Sequence, residues 1–259
     1  LSAHAIVLGC GTSTGVPLIG CRCPVCTSND PDNQRLRASL WLDLDGTRVL
    51  VDTSPDLRQQ ALLNQLPGVD LVVFTHAHAD HVHGIDDLRM FNFLQWASIP
   101  CHAAPDVAAV LRARFRYIFN ADHNMPTSLP RLELHEIDSE IPLGAGGKIV
   151  PVPIMHGHEP IYGYRFGNLA YLTDISAIPA SSWPLLEGID TVILGALRHE
   201  PHPTHLHIDA AVELVEQLGV RFAVLTHMSH DLDVQYLRRA LPAHIRPAYD
   251  GMVISLQWP

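Results

Sequence analysis

The chain has 259 residues, 47% of them hydrophobic, with 17 Lys plus Arg against 27 Asp plus Glu and a formal net charge of −10 at pH 7. That apolar content excludes a disordered or fibrous protein, and the acidic balance disfavours a broad phosphate-tracking surface for long nucleic acid. No apolar run reaches the roughly 18 to 20 residues of a spanning helix, and the opening LSAHAIVLGCG has neither the basic region nor the cleavage pattern of a secretory signal, so a cytoplasmic protein without a membrane partner is expected.

Taken in chain order, AIVLG reads as a first strand and runs into the glycine-rich GCGTSTG. SLWLDL and TRVLVD follow as strands, and PDLRQQALLNQL as a helix with Ser54 as N-cap and Pro55 in its first turn. The strand DLVVFT precedes the helical GIDDLRMFNFLQ, and the strand IPCHA precedes the helical PDVAAVLRARFRYIF. Beyond these come the strands KIVPVPI, YGYRF, LAYLTD and TVILGA, then the helix HIDAAVELVEQLG, closed by Gly219. RFAVLTH, the helical DLDVQYLRRAL and the strand MVISLQW complete the series. Strands and helices mix along the whole length without a linker, charge block or fixed-period repeat, which predicts one α/β domain over residues 1–259.

Polar residues fall at the strand ends. VVFT leads to His76, VPIM to His156, AYLT to Asp174 and AVLT to His227. In α/β folds the sheet delivers such side chains to a common rim. Within FTHAHADHVHGIDD, His76 and His78 point the same way on an extended segment and can grip one ion. Asp80 and His81 open a helix, with Ile85, Leu88 and Phe91 on its inner face, and diverge toward a second ion. His156, Asp174 and His227 supply further ligands to such a two-metal site.

Five cysteines are present, and Cys21, Cys23 and Cys26 cluster in a zinc-knuckle insertion at about residues 20–30. An odd count so clustered suits a reduced compartment and a metal site better than disulfides, while Cys10 and Cys101 read as buried thiols. Three thiolates at this spacing lack one ligand for a closed tetrahedral zinc site, and THMSHD offers His230. The glycine-rich GCGTSTG reads first as a structural turn, with phosphate cradling by its backbone as the alternative.

HAHADH at 76–81, with His156, Asp174 and His227 in order, resembles the HxHxDH signature of metallo-β-lactamase-fold hydrolases. The resemblance implies a four-layer αββα sandwich in which His76, His78 and His156 bind one ion, Asp80, His81 and His227 another, and Asp174 bridges both. GTSTGVP with the cysteine knuckle, LTHMSH, and DGM at 250–252 are similar to the PhnP-type phosphodiesterases, which hydrolyse phosphoribosyl 1,2-cyclic phosphate. That likeness implies a structural zinc on Cys21, Cys23, Cys26 and His230, and a homodimer. It also implies a catalytic histidine before a late helix. RHEPHPTHLHIDAAVEL offers His199, His202, His205 and His207, and alignment on the following helix selects His205 over His207.

The implied activity is hydrolysis of a small, cyclic phosphodiester. Two cations, zinc or manganese, lower the pKa of a shared water toward about 7, giving a hydroxide nucleophile. Asp80 is expected to orient the attack and His205, as imidazolium, to protonate the leaving oxygen. The alternatives are a tRNA-processing-type nuclease, a thioesterase or lactonase of the same fold, and a non-catalytic metal-binding accessory protein of coenzyme biosynthesis. Residues 112–129 read as a lid in which Arg112, Arg114 and Arg116 are first solvated helix charges, with contact to a substrate phosphate as the alternative.

Overall fold

Period-two alternation in the N-terminal part of the chain builds a sheet buried on both faces. The computed structural model describes residues 3–119 and 129–258. Its first strands are β1 (His4–Gly9), β2 (Ser39–Leu44), β3 (Thr47–Val51) and β4 (Leu71–Val73). Ala5, Val7, Leu40, Leu42, Val49, Val51 and Val73 pack inward against a second sheet. Their sequence neighbours Leu8, Trp41, Leu50 and Val72 point the other way, into a layer of helices.

β5 (Ile99–Ala103) and β6 (Leu132–Glu136) extend this sheet on one side. The second sheet contains β7 (Ile141–Pro142), β8 (Lys148–His156), β9 (Glu159–Phe166), β10 (Leu169–Leu172), β11 (Thr191–Gly195), β12 (Phe222–Thr226) and β13 (Ile245–Pro247), and β14 (Met252–Ser255) returns to the edge of the first. The two seven-stranded sheets run β14-β1-β2-β3-β4-β5-β6 and β13-β12-β11-β10-β9-β8-β7. Pairing is parallel from β3 through β6 and from β10 through β13, and antiparallel elsewhere. Parallel neighbours end together, so the carboxyl ends of β4, β10 and β12 meet at one rim.

Helices cover both outer faces, giving the αββα layering. Over the first sheet lie α1 (Leu57–Leu63), α2 (Ala79–Val82), α3 (Leu88–Gln95), α4 (Pro105–Arg114) and α5 (Arg116–Phe119). Over the second lie α6 (Ile208–Leu218) and α7 (Val234–Ala240). Gly219 takes the left-handed conformation that ends α6, at φ 64°. Among the described residues no helix is long and apolar enough to cross a membrane.

Several expected boundaries shift. Ser54 is not the N-cap of α1, because the helix begins at Leu57 with Asp56 in the cap position. The Ser54 hydroxyl instead accepts from the Asp56 N–H at 3.0 Å, closing a turn around Pro55. Asp80 and His81 do not share a helix with Ile85, Leu88 and Phe91: α2 is a single turn, broken at His83 and Gly84 before a short 3-10 turn leads into α3. In the segment expected to form a lid, residues 120–128 lie outside the described residues. Its described start is the last turn of α4, a break at Phe115, and α5. The strands β6, β7 and β13 were not legible in the sequence; β6 is exposed at three of its five positions and β7 and β13 are short.

The break after α2 depends on Gly84, whose N–H donates to Thr53 O at 2.9 Å. A Cβ at this position would sit inside contact distance of the Ser54 carbonyl oxygen. Overpacking of this kind costs about 1–3 kcal/mol. Gly84→Ala is therefore expected to lower the urea midpoint by that order, and an unchanged midpoint would contradict the packing described.

Candidate metal centres at the sheet rim

Three strand ends adopt a backbone that residues other than glycine rarely accept. Asp52 after β3, Asp174 after β10 and His227 after β12 have φ of 63°, 53° and 56°. Such left-handed positions cost free energy and persist where the surrounding fold over-determines them. Here they turn a carboxylate or imidazole out of the strand and toward the rim.

Asp174 is the hub. It is 2% exposed, and it belongs to three clusters of donor atoms within 4.8 Å of one another: Asp80, His81, Asp174 and His227; His76, His78 and Asp174; His156, Asp174 and His205. Its Oδ1 lies 3.3 Å from both His81 Nε2 and His227 Nε2, and its Oδ2 lies 3.8 Å from His76 Nε2. Asp80 Oδ2 stands 3.2 Å from His81 Nε2 and 3.7 Å from His227 Nε2. Asp80, His81 and His227 fall in one cluster and His76 and His78 in another, both sharing Asp174. His156 groups with Asp174 and His205, although its ring centroid is 5.7 Å from that of His76 and 5.3 Å from that of His78.

Supporting hydrogen bonds leave the inner ring nitrogens of His81 and His156 available, while His76 Nε2 lies 3.0 Å from His78 Nδ1. His81 Nδ1 meets Asp52 Oδ2 at 2.7 Å, which fixes its proton there and turns Nε2 to Asp80 and Asp174. His156 Nδ1 lies 2.8 Å from Asp174 O and 3.0 Å from Thr204 O, so it donates and leaves Nε2 free. His76 Nδ1 sits 2.9 Å from the Thr75 hydroxyl, which is itself 2.8 Å from Asp52 Oδ2. Asp52 thus holds two arms of the motif. Asp52 ends TRVLVD in the same strand-end pattern, although it lies outside the HAHADH motif.

Electrostatics follow from burial and this crowding. Burial opposes ionisation of Asp174, yet His227 and His81 hold its carboxyl well below the usual range. Asp80 is also held low against burial, through His227 and His81. Against the cost of its own burial, Asp174 and Asp52 hold His81 well above the usual histidine value. Burial pushes His76 well below it. His81 Nε2 and both ring nitrogens of His227 are buried without a hydrogen-bond partner among the described residues. Unpartnered buried nitrogens facing carboxylates are what a divalent ion would satisfy, and an imidazole and carboxylate set accepts zinc, manganese or iron.

Of the four candidate histidines, His205 reaches the cluster: its ring stacks on His227 at 4.9 Å and meets His156 at 4.7 Å. His202 stands behind it at 5.2 Å, His199 packs on Tyr236 at 5.8 Å, and His207 occupies the N-cap position of α6. Burial, then His227, pushes His205 down to about 3. Burial and the neighbouring His227 thus work against the imidazolium form, and negative charge brought by a substrate would work for it.

The second donor set lies on the same loop as His227. Cys21 Sγ and Cys23 Sγ stand 3.3 Å and 3.5 Å from His230 Nδ1, and Cys26 completes the group. Backbone N–H groups point at the sulfurs, Cys26 N at Cys23 Sγ and Leu18 N at Cys26 Sγ, both 3.3 Å. The Cys26 N–H lowers Cys23 to about 6, whereas burial raises Cys26 to about 11. This set fits zinc. In GCGTSTG the N–H groups of Gly11, Thr12 and Gly15 are taken by Leu36 O, Met228 O and Thr12 O, so the turn reads as structural. Cys10 and Cys101 are fully buried.

The fold and this rim of histidines and carboxylates define a metal-dependent hydrolase. Residues 47–228 match the beta-lactamase superfamily domain. A solved structure described as a new diphosphatase from the PhnP family is 44% identical, with a TM-score of 0.91 over 99% of this chain and 98% of that one. The chain belongs to the metallo-β-lactamase superfamily as a PhnP-type member. A curated protein of Porphyromonas gingivalis named octanoyltransferase is 39% identical over 253 residues, which is 96% of this chain and 51% of the relative, so the chain spans about half its length. Zinc-bound PqqB from Methylobacterium extorquens shares the fold at 18% identity, with a TM-score of 0.79 over 98% of this chain and 100% of that one.

Two measurements bear on this geometry. Loss of an outer partner of a ligating histidine usually weakens metal affinity 10–100-fold. Asp52→Asn is expected to do so in chelator competition, and wild-type affinity would remove Asp52 from the support of His81. In the ion-free chain, thiolate absorbance near 240 nm is expected to appear as pH rises through about 6, with Cys23→Ser abolishing that step. No thiolate signal below pH 8 would contradict the assignment.

Proposed function

We propose that the chain is a phosphodiesterase for small, cyclic phosphodiesters of the phosphoribosyl 1,2-cyclic phosphate type. It would work with two divalent ions, zinc or manganese, on His76, His78, Asp80, His81, His156, Asp174 and His227, with one structural zinc on Cys21, Cys23, Cys26 and His230. The observation that carries this reading is the convergence of three donor clusters on Asp174, with His205 beside them. When bound, the ions supply Lewis-acid neutralisation of charge growing on phosphate oxygens and activation of water at neutral pH.

The remaining work falls to side chains. Asp80, held ionised, accepts a hydrogen bond from the attacking water and orients it. His205 lies on the Thr204–His207 approach to α6, where a substrate phosphate raises its proton affinity. It then gives that proton to the departing alkoxide, which cannot leave unprotonated near pH 7. A net charge of −10 supports a small substrate over a long polynucleotide. A homodimer and a cytoplasmic setting without a membrane partner belong to the same reading.

Two names among the relatives widen the assay. The diphosphatase supports a phosphoanhydride as a second substrate class, and the octanoyltransferase adds acyl thioesters. Cyclic phosphodiester, diphosphate and thioester should be compared on the metal-loaded chain, and turnover confined to the thioester would sink the proposal. His205→Ala is expected to lose 10²–10⁴-fold in kcat with an alkoxide leaving group and far less with p-nitrophenolate, which departs without a proton. Equal losses on both, or loss of a bound ion, would make His205 a ligand instead of the acid.

A further inference from the structure

His227 differs from His81 and His156 in how its ring is aimed. Those two each fix an outer ring nitrogen on a carboxylate or carbonyl oxygen, whereas neither nitrogen of His227 has a hydrogen-bond partner among the described residues. Its backbone is left-handed, at φ 56°. The direction of the ring is therefore set by the main chain on either side of it, together with the stacked ring of His205. On the upstream side Thr226 O accepts the Ala196 N–H at 2.9 Å, within the sheet. On the downstream side the hold comes from outside the sheet, through Met228.

Two segments grip that downstream main chain, and both start at one carboxylate. The Met228 N–H donates to Cys10 O at 2.9 Å, and Met228 O accepts the Thr12 N–H at 3.2 Å. From the second segment Arg35 reaches Ser229 O and Leu232 O. Asp250 joins the two: its Oδ1 accepts the Cys10 N–H at 3.0 Å and its Oδ2 the Leu36 N–H at 2.7 Å. Asp250 is itself fixed where the chain crosses between the sheets, because the Ala248 N–H donates to Leu225 O at 2.9 Å and the Gly251 N–H to Val7 O at 2.7 Å. Shielding a carboxylate from water is costly, and burial pushes this one up to about 6.

We propose that Asp250 is a positioning residue for the rim: by joining the roots of the two segments it holds Met228, and with it the His227 ring, in register with Asp80, His81 and Asp174. It touches none of these donors and acts only through the backbone of residues 10–12 and 35–36. A carboxylate suits the place because two backbone N–H groups converge there and each needs its own acceptor. A side-chain amide offers one acceptor oxygen and turns an N–H toward the second donor, which leaves a shielded N–H unpaired. The assignment rests on the reading of His227 as a metal ligand and is independent of which substrate the centre takes.

The test measures the affinity of the rim ions by chelator competition with zinc, the knuckle zinc being counted separately, in wild type, Asp250→Asn and Asp70→Asn. Asp70 is the control: its Oδ2 accepts the Arg48 N–H at 2.9 Å at the start of β4, the end of that strand away from the rim. Asp250→Asn is expected to weaken one rim ion about 10–100-fold, as loss of an outer support of a ligand does, while the other rim ion and the knuckle zinc are kept. Asp70→Asn is expected to lower the urea midpoint and leave all affinities as they were. A lowered midpoint in Asp250→Asn with both rim affinities unchanged would make Asp250 a purely structural group and overturn the proposal. A wild-type chain that binds no rim ion would sink the metal reading of His227, and this assignment with it. Hydrogen exchange on the wild type gives an answer even where Asp250→Asn does not fold. Coupling is reciprocal, so loading the rim is expected to slow exchange at the Cys10, Leu36 and Met228 amides together and not at Arg48. Slowing at Met228 without Cys10 and Leu36 would reject the Asp250 link.

Discussion

A carboxylate buried among histidines holds this rim together. Asp174 is 2% exposed, and in an apolar interior it would be forced neutral. It stays ionised because the imidazoles of His227 and His81 surround it, and they in turn face it with nitrogens that have no hydrogen-bond partner among the described residues. Each group makes sense only in the presence of the others. The left-handed backbone at Asp52, Asp174 and His227 belongs to the same arrangement, since local strain at three strand ends is tolerated when the sheets behind them are rigid.

A second constraint ties the knuckle to that rim. Arg35 is fully buried, and its Nη1 donates to Ser229 O at 2.9 Å while its Nη2 donates to Leu232 O at 2.6 Å and to Asn33 Oδ1 at 3.0 Å. Asn33 Nδ2 then donates to Asp233 Oδ2 at 2.9 Å. The segment carrying His227 and His230 is therefore clamped from one side by Arg35 and Asn33 and from the other by the cysteines. The knuckle's own apolar cluster is small, built on Val16, Val25 and Cys26, so an ion held there would supply order that packing alone does not.

Much of this was legible in the sequence because the fold repeats one device. An apolar strand followed by a histidine or aspartate marked His76, His156, Asp174 and His227, and the dense HAHADH run left little room for a purely structural reading. Asp52 obeys the same rule, but an aspartate after a strand commonly ends a turn, and no metal-ligand motif includes it. The limits are equally physical. Spacing does not reveal that Gly84 abuts the Ser54 carbonyl and breaks the helix after α2. Nor does it separate Arg112, neutralised by Glu136 across a strand, from Arg114, held against Ala77. Those distinctions arise from contacts between residues distant in the chain.

The donors also divide by sheet. His76, His78, Asp80 and His81 follow β4 of the first sheet, while in the second His156 ends β8 and Asp174 and His227 follow β10 and β12. Any ion shared between them closes a covalent-like loop across the mouth of the sandwich, alongside the Tyr164 hydroxyl that donates to Phe74 O at 2.6 Å. Metal occupancy and cohesion of the two halves would then be linked equilibria. The free-ion concentration would set how firmly the sheets hold together, each tenfold excess over the dissociation constant adding about 1.4 kcal/mol to the folded state. A chain starved of metal would open first at this seam, at the edge where chemistry takes place.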